Sequence, residues 1–226
     1  MKMIVTMGVH LGQRRHETAL CVVEQELRKV GEGREEHYLV RLLDRLPMGT
    51  SYPDVARRVT EVAERVEERT GTPVELFVNA TGLGTPVVEL LGESRSVCWT
   101  WAVYFTHGDR RTEDTTGGER VVTLGKAYLV TRLQTLLQLG RLHLPRTAEA
   151  QRLADELREY EVRVDADAND RYGAFRVGTQ DELVNALGMA VQTEHKRSVY
   201  PSGGEGPMPG PSTGLSSMSS WAAPWW

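Results

Sequence analysis

Long apolar runs are what this 226-residue sequence most plainly lacks. No stretch approaches the ~20 apolar residues of a membrane-spanning helix, and none reads as a signal peptide, so the expectation is a cytoplasmic protein with no membrane partner. Cysteine is scarce. Cys21 and Cys98 are the only two, each inside an apolar run, which argues for two small core residues rather than a disulfide framework or a zinc site. A large charge of one sign is missing too: the formal net charge of −4 removes the global case for a nucleic-acid binder, though not for a local basic groove. Lysine supplies only four of the 27 basic residues. The dominant arginine suits bidentate phosphate contacts, and follows equally from codon bias in a GC-rich genome. The patterns G-x-x-x-x-G-K-[ST], C-x-x-C and H-E-x-x-H are all absent, so P-loop nucleotide hydrolysis and zinc-protease chemistry lose their main support.

What is present is an ordered series of strand and helix patterns. Residues 3–9, 19–24 and 37–46 read as strands separated by turn residues, hence an antiparallel meander. In SYPDVARRVTEVAERVEERTG, Val55, Val59, Val62 and Val66 recur at i, i+4, i+7 and i+11 and define one apolar helix face. Ser51 can cap that helix, Pro53 suits its first turn and Gly71 ends it. A buried strand over 73–79, a glycine-containing turn, a short helix near 85–91 and a strand over 97–105 follow. Residues 107–125 read as a polar, charged loop. The spacing then predicts a helix over 126–139 with Leu129, Leu133, Leu136 and Leu137 on one side, a strand at 141–144, and a helix from Thr147 to Glu159. EYEVRVDA and YGAFRV read as a late pair of strands, and 180–194 as a last helix with Leu183, Leu187, Ala190 and Val191 inward. This order argues for an α/β sandwich with a mixed sheet, in one domain over 1–196. After Lys196 the composition turns to glycine, proline and serine. Residues 197–226 therefore read as a disordered tail, whose Trp221, Trp225 and Trp226 suit a partner-docking anchor or carry no role.

Chemistry in an open α/β sheet gathers at the carboxyl ends of neighbouring strands. Three places qualify: His10 at the end of the first strand, Asn79 at the end of the fourth, and Asp181 with Glu182 at the start of the last helix. Each has a plain alternative. His10 can be a satisfied histidine at a strand end, and Asn79 before a glycine turn is a common turn former. Thr179-Gln180-Asp181-Glu182 matches a capping box, which gives Glu182 a structural task, while Asp181 suits the helix dipole.

Taken in order, GVHLGQRRHETALCVVE, LVRLLDRLPMGTSYPDVARRV, LFVNATGLGTPVVELL, GKAYLVTRLQTLLQLGRLHLP and DRYGAFRVGTQDELVNAL resemble the successive segments of the C-terminal nuclease domain of phage terminase large subunits, over residues 3–193. The resemblance implies an RNase H-like fold, a mixed sheet of an antiparallel three-strand meander plus parallel strands, flanked by helices. In that family the first hairpin reads G-x-D-x-G-Q, with an aspartate where this chain has His10. The fourth strand ends in Asp-Ala-Thr-Gly, where this chain has Asn79-Ala80-Thr81-Gly82, and the closing motif His-Asp-Asp-Leu-Val stands as Gln180-Asp181-Glu182-Leu183-Val184.

By the same resemblance, Asp181, His10 and Asn79 occupy the catalytic and metal-binding positions of a two-metal endodeoxyribonuclease using Mg2+ or Mn2+, with two of three aspartates replaced. Two divalent ions roughly 4 Å apart need carboxylates to offset their repulsion, and magnesium prefers oxygen ligands, whereas a histidine nitrogen suits Mn2+ or Zn2+ better. The expectation is weak or absent cleavage. Glu182, Asp109, Glu119 and Asp170, all near the motif segments, are candidates to compensate for the lost charge. The alternatives are a Mn-dependent variant nuclease with Asp181, His10 and Asn79 as its ligands, and a non-enzymatic DNA- or protein-interaction module. Double-stranded DNA is the expected partner, met by Lys126 and by Arg110, Arg111 and Arg120 of the 107–125 segment. The tail is the candidate contact for the portal or other packaging proteins.

Overall fold

Strand β1 (Ile4–His10) alternates Val5, Met7 and Val9 on one face with Thr6, Gly8 and His10 on the other. β2 (Thr18–Val30) and β3 (Gly33–Leu46) complete the antiparallel meander that the pattern predicts. Both strands outrun their apolar stretches and turn at Gly31, whose φ of 59° is left-handed. Backbone pairing alone carries a hairpin past the core, so its charged far end has no apolar signature to read.

The described residues are 4–12, 16–82, 84–92, 98–164, 170–173 and 180–193 of this computed structural model; the tail expected at 197–226 lies outside them. Helix α1 (Tyr52–Thr70) starts where Ser51 accepts the Asp54 N–H (3.3 Å) and stops at Gly71, φ 65°. Its Val55, Val59, Val62 and Val66 are fully buried. β4 (Val74–Asn79), α2 (Thr85–Gly92) and β5 (Cys98–Thr106) follow as expected. The segment 107–125 is not simply a loop. It holds β6 (Arg111–Asp114), a short 3-10 turn at Thr116–Gly118 and β7 (Val121–Gly125). The left-handed Gly117 and Gly118 reverse the chain there, and Val121-Val122-Thr123-Leu124 is a strand whose apolar pattern the surrounding charges mask.

Helix α3 (Lys126–Gln138) buries Leu129, Leu133 and Leu136, but Leu137, expected beside them, is 41% exposed, because it stands a full residue round the turn from the buried stripe. The short strand β8 (Leu142–His143) precedes α4 (Ala148–Glu159), capped by Thr147 onto the Ala150 N–H. β9 (Glu161–Val164) and β10 (Asp170–Gly173) form a separate antiparallel pair, and α5 (Glu182–Ala190) closes the fold. The main sheet has eight strands in the order β6-β7-β5-β4-β1-β2-β3-β8. Pairing is parallel for β1/β4, β4/β5, β5/β7 and β3/β8, and antiparallel elsewhere. This is the α/β mixed sheet that the element order implied. Cys21 and Cys98 are both buried free thiols. No helix among the described residues is long and apolar enough to cross a membrane.

Helix α5 is buried on every side, from Glu182 to Ala190. It reaches that depth because small residues line its path. A Cβ on Gly8 would overlap the Ala186 carbonyl, and one on Gly188 would overlap the Leu129 side chain of α3. Thr6 Oγ1 donates to the Ala190 carbonyl at 2.5 Å. So α5 lies directly on β1, on the face that carries His10.

Candidate functional site

β1 and β4 run side by side with Val9 opposite Val78, which puts His10 and Asn79 together at the carboxyl ends of adjacent parallel strands. Asn79 is fixed by its own turn. Its Oδ1 accepts the Thr81 N–H (3.0 Å), Thr81 Oγ1 accepts the Phe105 N–H (2.9 Å), and the Ala80 N–H donates to the Val103 carbonyl (2.8 Å). Gly84 allows the chain to fold back, since a Cβ there would overlap the Asn79 carbonyl. With Oδ1 committed to Thr81, the amide NH2 of Asn79 faces His10 Nδ1 at 3.2 Å. Nδ1 is thereby the acceptor, and the ring proton resides on Nε2.

A cleft of about 390 Å³ opens above this pair, lined also by His16, Tyr52, Lys126, Asp181 and Glu182. The three positions expected to converge, His10, Asn79 and Asp181, do share one cleft, and Lys126 joins them. Burial pulls the His10 pKa down to about 4; nearby Asp181 opposes this, while Lys126 and His16 reinforce it. Burial likewise lowers the Lys126 pKa, again opposed by Asp181. The Lys126 ammonium lies 3.5 Å from Asn185 Oδ1 and 5.2 Å from the Phe105 ring centroid.

Glu182 has a different task from the one expected. The helix starts one residue beyond Asp181, so Glu182 is its first residue rather than its third, and Thr179 lies outside the described residues. The carboxylate instead meets His16: Oε1 is 2.8 Å from His16 Nδ1, on a histidine 59% exposed, while Glu182 itself is 1% exposed. Glu182 Oε2 is buried with no hydrogen-bond partner among the described residues. His16, Tyr52 and Thr81 carry no sequence signal of their own, because only the closure of the hairpin and the β4 turn brings them here.

The other expected residues are elsewhere. Asp109 and Glu119 are exposed and do not line the cleft, and the side chain of Asp170 lies outside the described set. Arg110 is exposed, Arg111 pairs with Glu113 at 2.5 Å, and Arg120 lies over the Trp99 ring at 5.4 Å. Among the described residues, no group of three or more His, Cys, Asp or Glu side chains is arranged to hold a metal ion.

A mixed sheet that opens as an antiparallel meander and continues in parallel strands, with polar residues at the ends of β1 and β4, is an RNase H-like fold. It is, more narrowly, the fold of the terminase nuclease domains. The large terminase nuclease from the thermophilic phage G20c, solved with bound magnesium, superposes with a TM-score of 0.56 at 19% identity over 83% of this chain and 80% of that one. The large terminase nuclease domain of Thermus phage P74-26 gives 0.52 at 16% identity, over 83% and 78%. The human cytomegalovirus terminase nuclease domain gives 0.53 at 13% identity, over 84% and 83%. No protein-family model matches the chain, and no curated protein matches it.

Proposed function

We propose that this chain is the nuclease-type domain of a phage DNA-packaging terminase, holding double-stranded DNA in the host cytoplasm through a cleft whose metal-dependent cleavage is weak or lost. One observation carries the second half: the Asn79 amide donates to His10 Nδ1, where a two-metal site needs carboxylates. With Nδ1 accepting and Nε2 protonated, the imidazole as held offers a ligand no lone pair. The residues do not fit a pair of magnesium ions. Among the described residues Asp181 and Glu182 are the cleft's only carboxylates, Glu182 is engaged by His16, and an ammonium from Lys126 shares the space.

What remains suits binding. Lys126 opens α3 behind Gly125, which adds no side-chain cap; the Ala127 amide is already bonded to the Gly108 carbonyl (3.0 Å), so a phosphate there meets the ammonium and the helix dipole rather than a full set of free amides. Exposed Arg110, just before β6, extends that basic surface, and Arg111 joins it on leaving Glu113. The tail, 197–226, is the candidate contact for a portal or another packaging protein, and its deletion is expected to abolish that contact while leaving DNA affinity unchanged.

A second reading is favoured by the partnerless, buried Glu182 Oε2: one Mn2+ ion held with Asp181 after His16 swings away, giving a manganese-dependent nuclease. A nicking assay on supercoiled plasmid with Mg2+ and Mn2+ in parallel separates the two. The first predicts little or no cleavage in either metal, and strong cleavage once His10→Asp and Asn79→Asp are combined. Cleavage by the unaltered protein in Mn2+, lost in Asp181→Ala, selects the second. Silence of the double variant counts against a nuclease scaffold altogether and leaves a non-enzymatic interaction module.

A further inference from the structure

Aspartate is among the best N-cap residues, accepting the amide of the second or third helical residue. Asp181 stands at the N-cap of α5, yet its side chain makes no capping bond. The amide it would serve is already taken. Glu156, from the middle of α4, accepts the Val184 N–H on Oε2 at 3.0 Å, and Val184 is the third residue of α5.

Glu156 is itself held from below. Arg45 of β3, 6% exposed, donates Nη2 to Glu156 Oε1 and Nη1 to Glu17 Oε2 (3.0 Å) and Gln180 Oε1 (2.6 Å), with Glu149 at 3.5 Å from its Nε. One guanidinium thus ties the start of β2, the end of β3, helix α4 and the residue just before Asp181. A carboxylate at a helix N-terminus is also favoured by the helix dipole.

From this geometry we infer that Glu156 is a positioning residue: it caps α5 in place of Asp181 and so leaves the Asp181 carboxylate free to face the cleft. A site that recruits the N-cap residue of a buried helix needs such a substitute, because the orphan amides of α5 have no water to turn to. The consequence for the cleft rests on the function proposed above, in which Asp181 is the carboxylate that matches the terminase motif. The capping exchange is read from stability alone, so its failure and the failure of the nuclease proposal are distinguishable.

The test is a double-mutant cycle in urea on the full chain. In the unaltered protein Asp181→Ala changes the unfolding equilibrium constant only through its lost attraction to Lys126 and His10, because Asp181 caps nothing. In a Glu156→Ala background Asp181 turns back to cap Val184, and removing it then changes the constant by a further factor on the order of five, the size of one lost N-cap. In Glu156→Gln, which keeps an acceptor for Val184, the Asp181→Ala effect returns toward that of the unaltered protein. Should Glu156→Ala not fold, Glu156→Asp withdraws the acceptor by one methylene and is expected to show an intermediate coupling. Equal effects of Asp181→Ala in every background overturn the inference.

Discussion

The Asn79 amide nitrogen stands 3.2 Å from His10 Nδ1, and the turn that follows Asn79 leaves that amide only one way to face. Asn79→Asp reverses the interaction. A carboxylate at the same place accepts from Nδ1–H and favours the imidazolium, so the His10 pKa is expected to climb from about 4 towards or past its ordinary 6.5. Titration of the His10 ring signals by NMR reads this directly. A pKa that stays near 4 in Asn79→Asp means the amide was not setting the tautomer.

His10 also leaves a mark on acid stability. Its folded pKa, about 4, lies below its ordinary 6.5, so between those values the unfolded chain binds a proton that the native state refuses. The stabilisation is fully present above pH 6.5 and is lost as pH falls towards 4. His10→Gln removes this titration, and the variant is expected to lose less thermal stability than the unaltered protein between pH 6.5 and 4. Parallel acid profiles of the two proteins sink the assignment.

Gly8 tests how α5 is seated. An alanine there would drive its Cβ into the Ala186 carbonyl, backbone against backbone, with no flexible side chain to yield. Gly8→Ala is expected to destabilise by about 3 kcal/mol, the upper end for overpacking. Gly31→Ala, at an exposed turn with φ 59°, should cost about 1 kcal/mol. Urea midpoints decide, and equal costs would mean that α5 is free to lift off β1.

Lys126→Met is expected to weaken binding to a DNA duplex of any sequence and to reduce the slope of log affinity against log salt by about 1. Fluorescence anisotropy across several salt concentrations gives both numbers. An unchanged slope means that Lys126 meets no phosphate and serves only to neutralise Asp181.

The meander, α1 with its caps, and the helices around the late strands are legible in the sequence because each buries a periodic apolar face. β7 is not, since its four apolar-patterned residues sit among the charges of the 107–125 segment and only pairing with β5 makes them a strand. The site divides the same way. His10, Asn79 and Asp181 stand at strand and helix ends, where position alone marks them. His16 and Glu156 are invisible beforehand: one is an exposed histidine in a polar turn, and the other a glutamate on a charged helix, made functional by a guanidinium more than a hundred residues away in sequence.

Glu156 offers a pH signature of its own. Burial pushes its carboxyl up from 4.5 to about 7, with Arg45 and the α5 amides opposing and Glu182 adding to the rise. The groups that face it are Arg45, Glu182 and, through the shared guanidinium, Glu17 and Glu149. Between pH 4.5 and 7 the native state keeps a proton that the unfolded chain has released, so this group's contribution falls as pH rises and levels off above 7. Glu156→Gln mimics the protonated form at every pH. Its melting temperature relative to the unaltered protein is therefore expected to improve steadily from pH 4.5 to 7 and then stay constant. A difference that does not change with pH would mean that Glu156 stays ionised against Arg45 throughout.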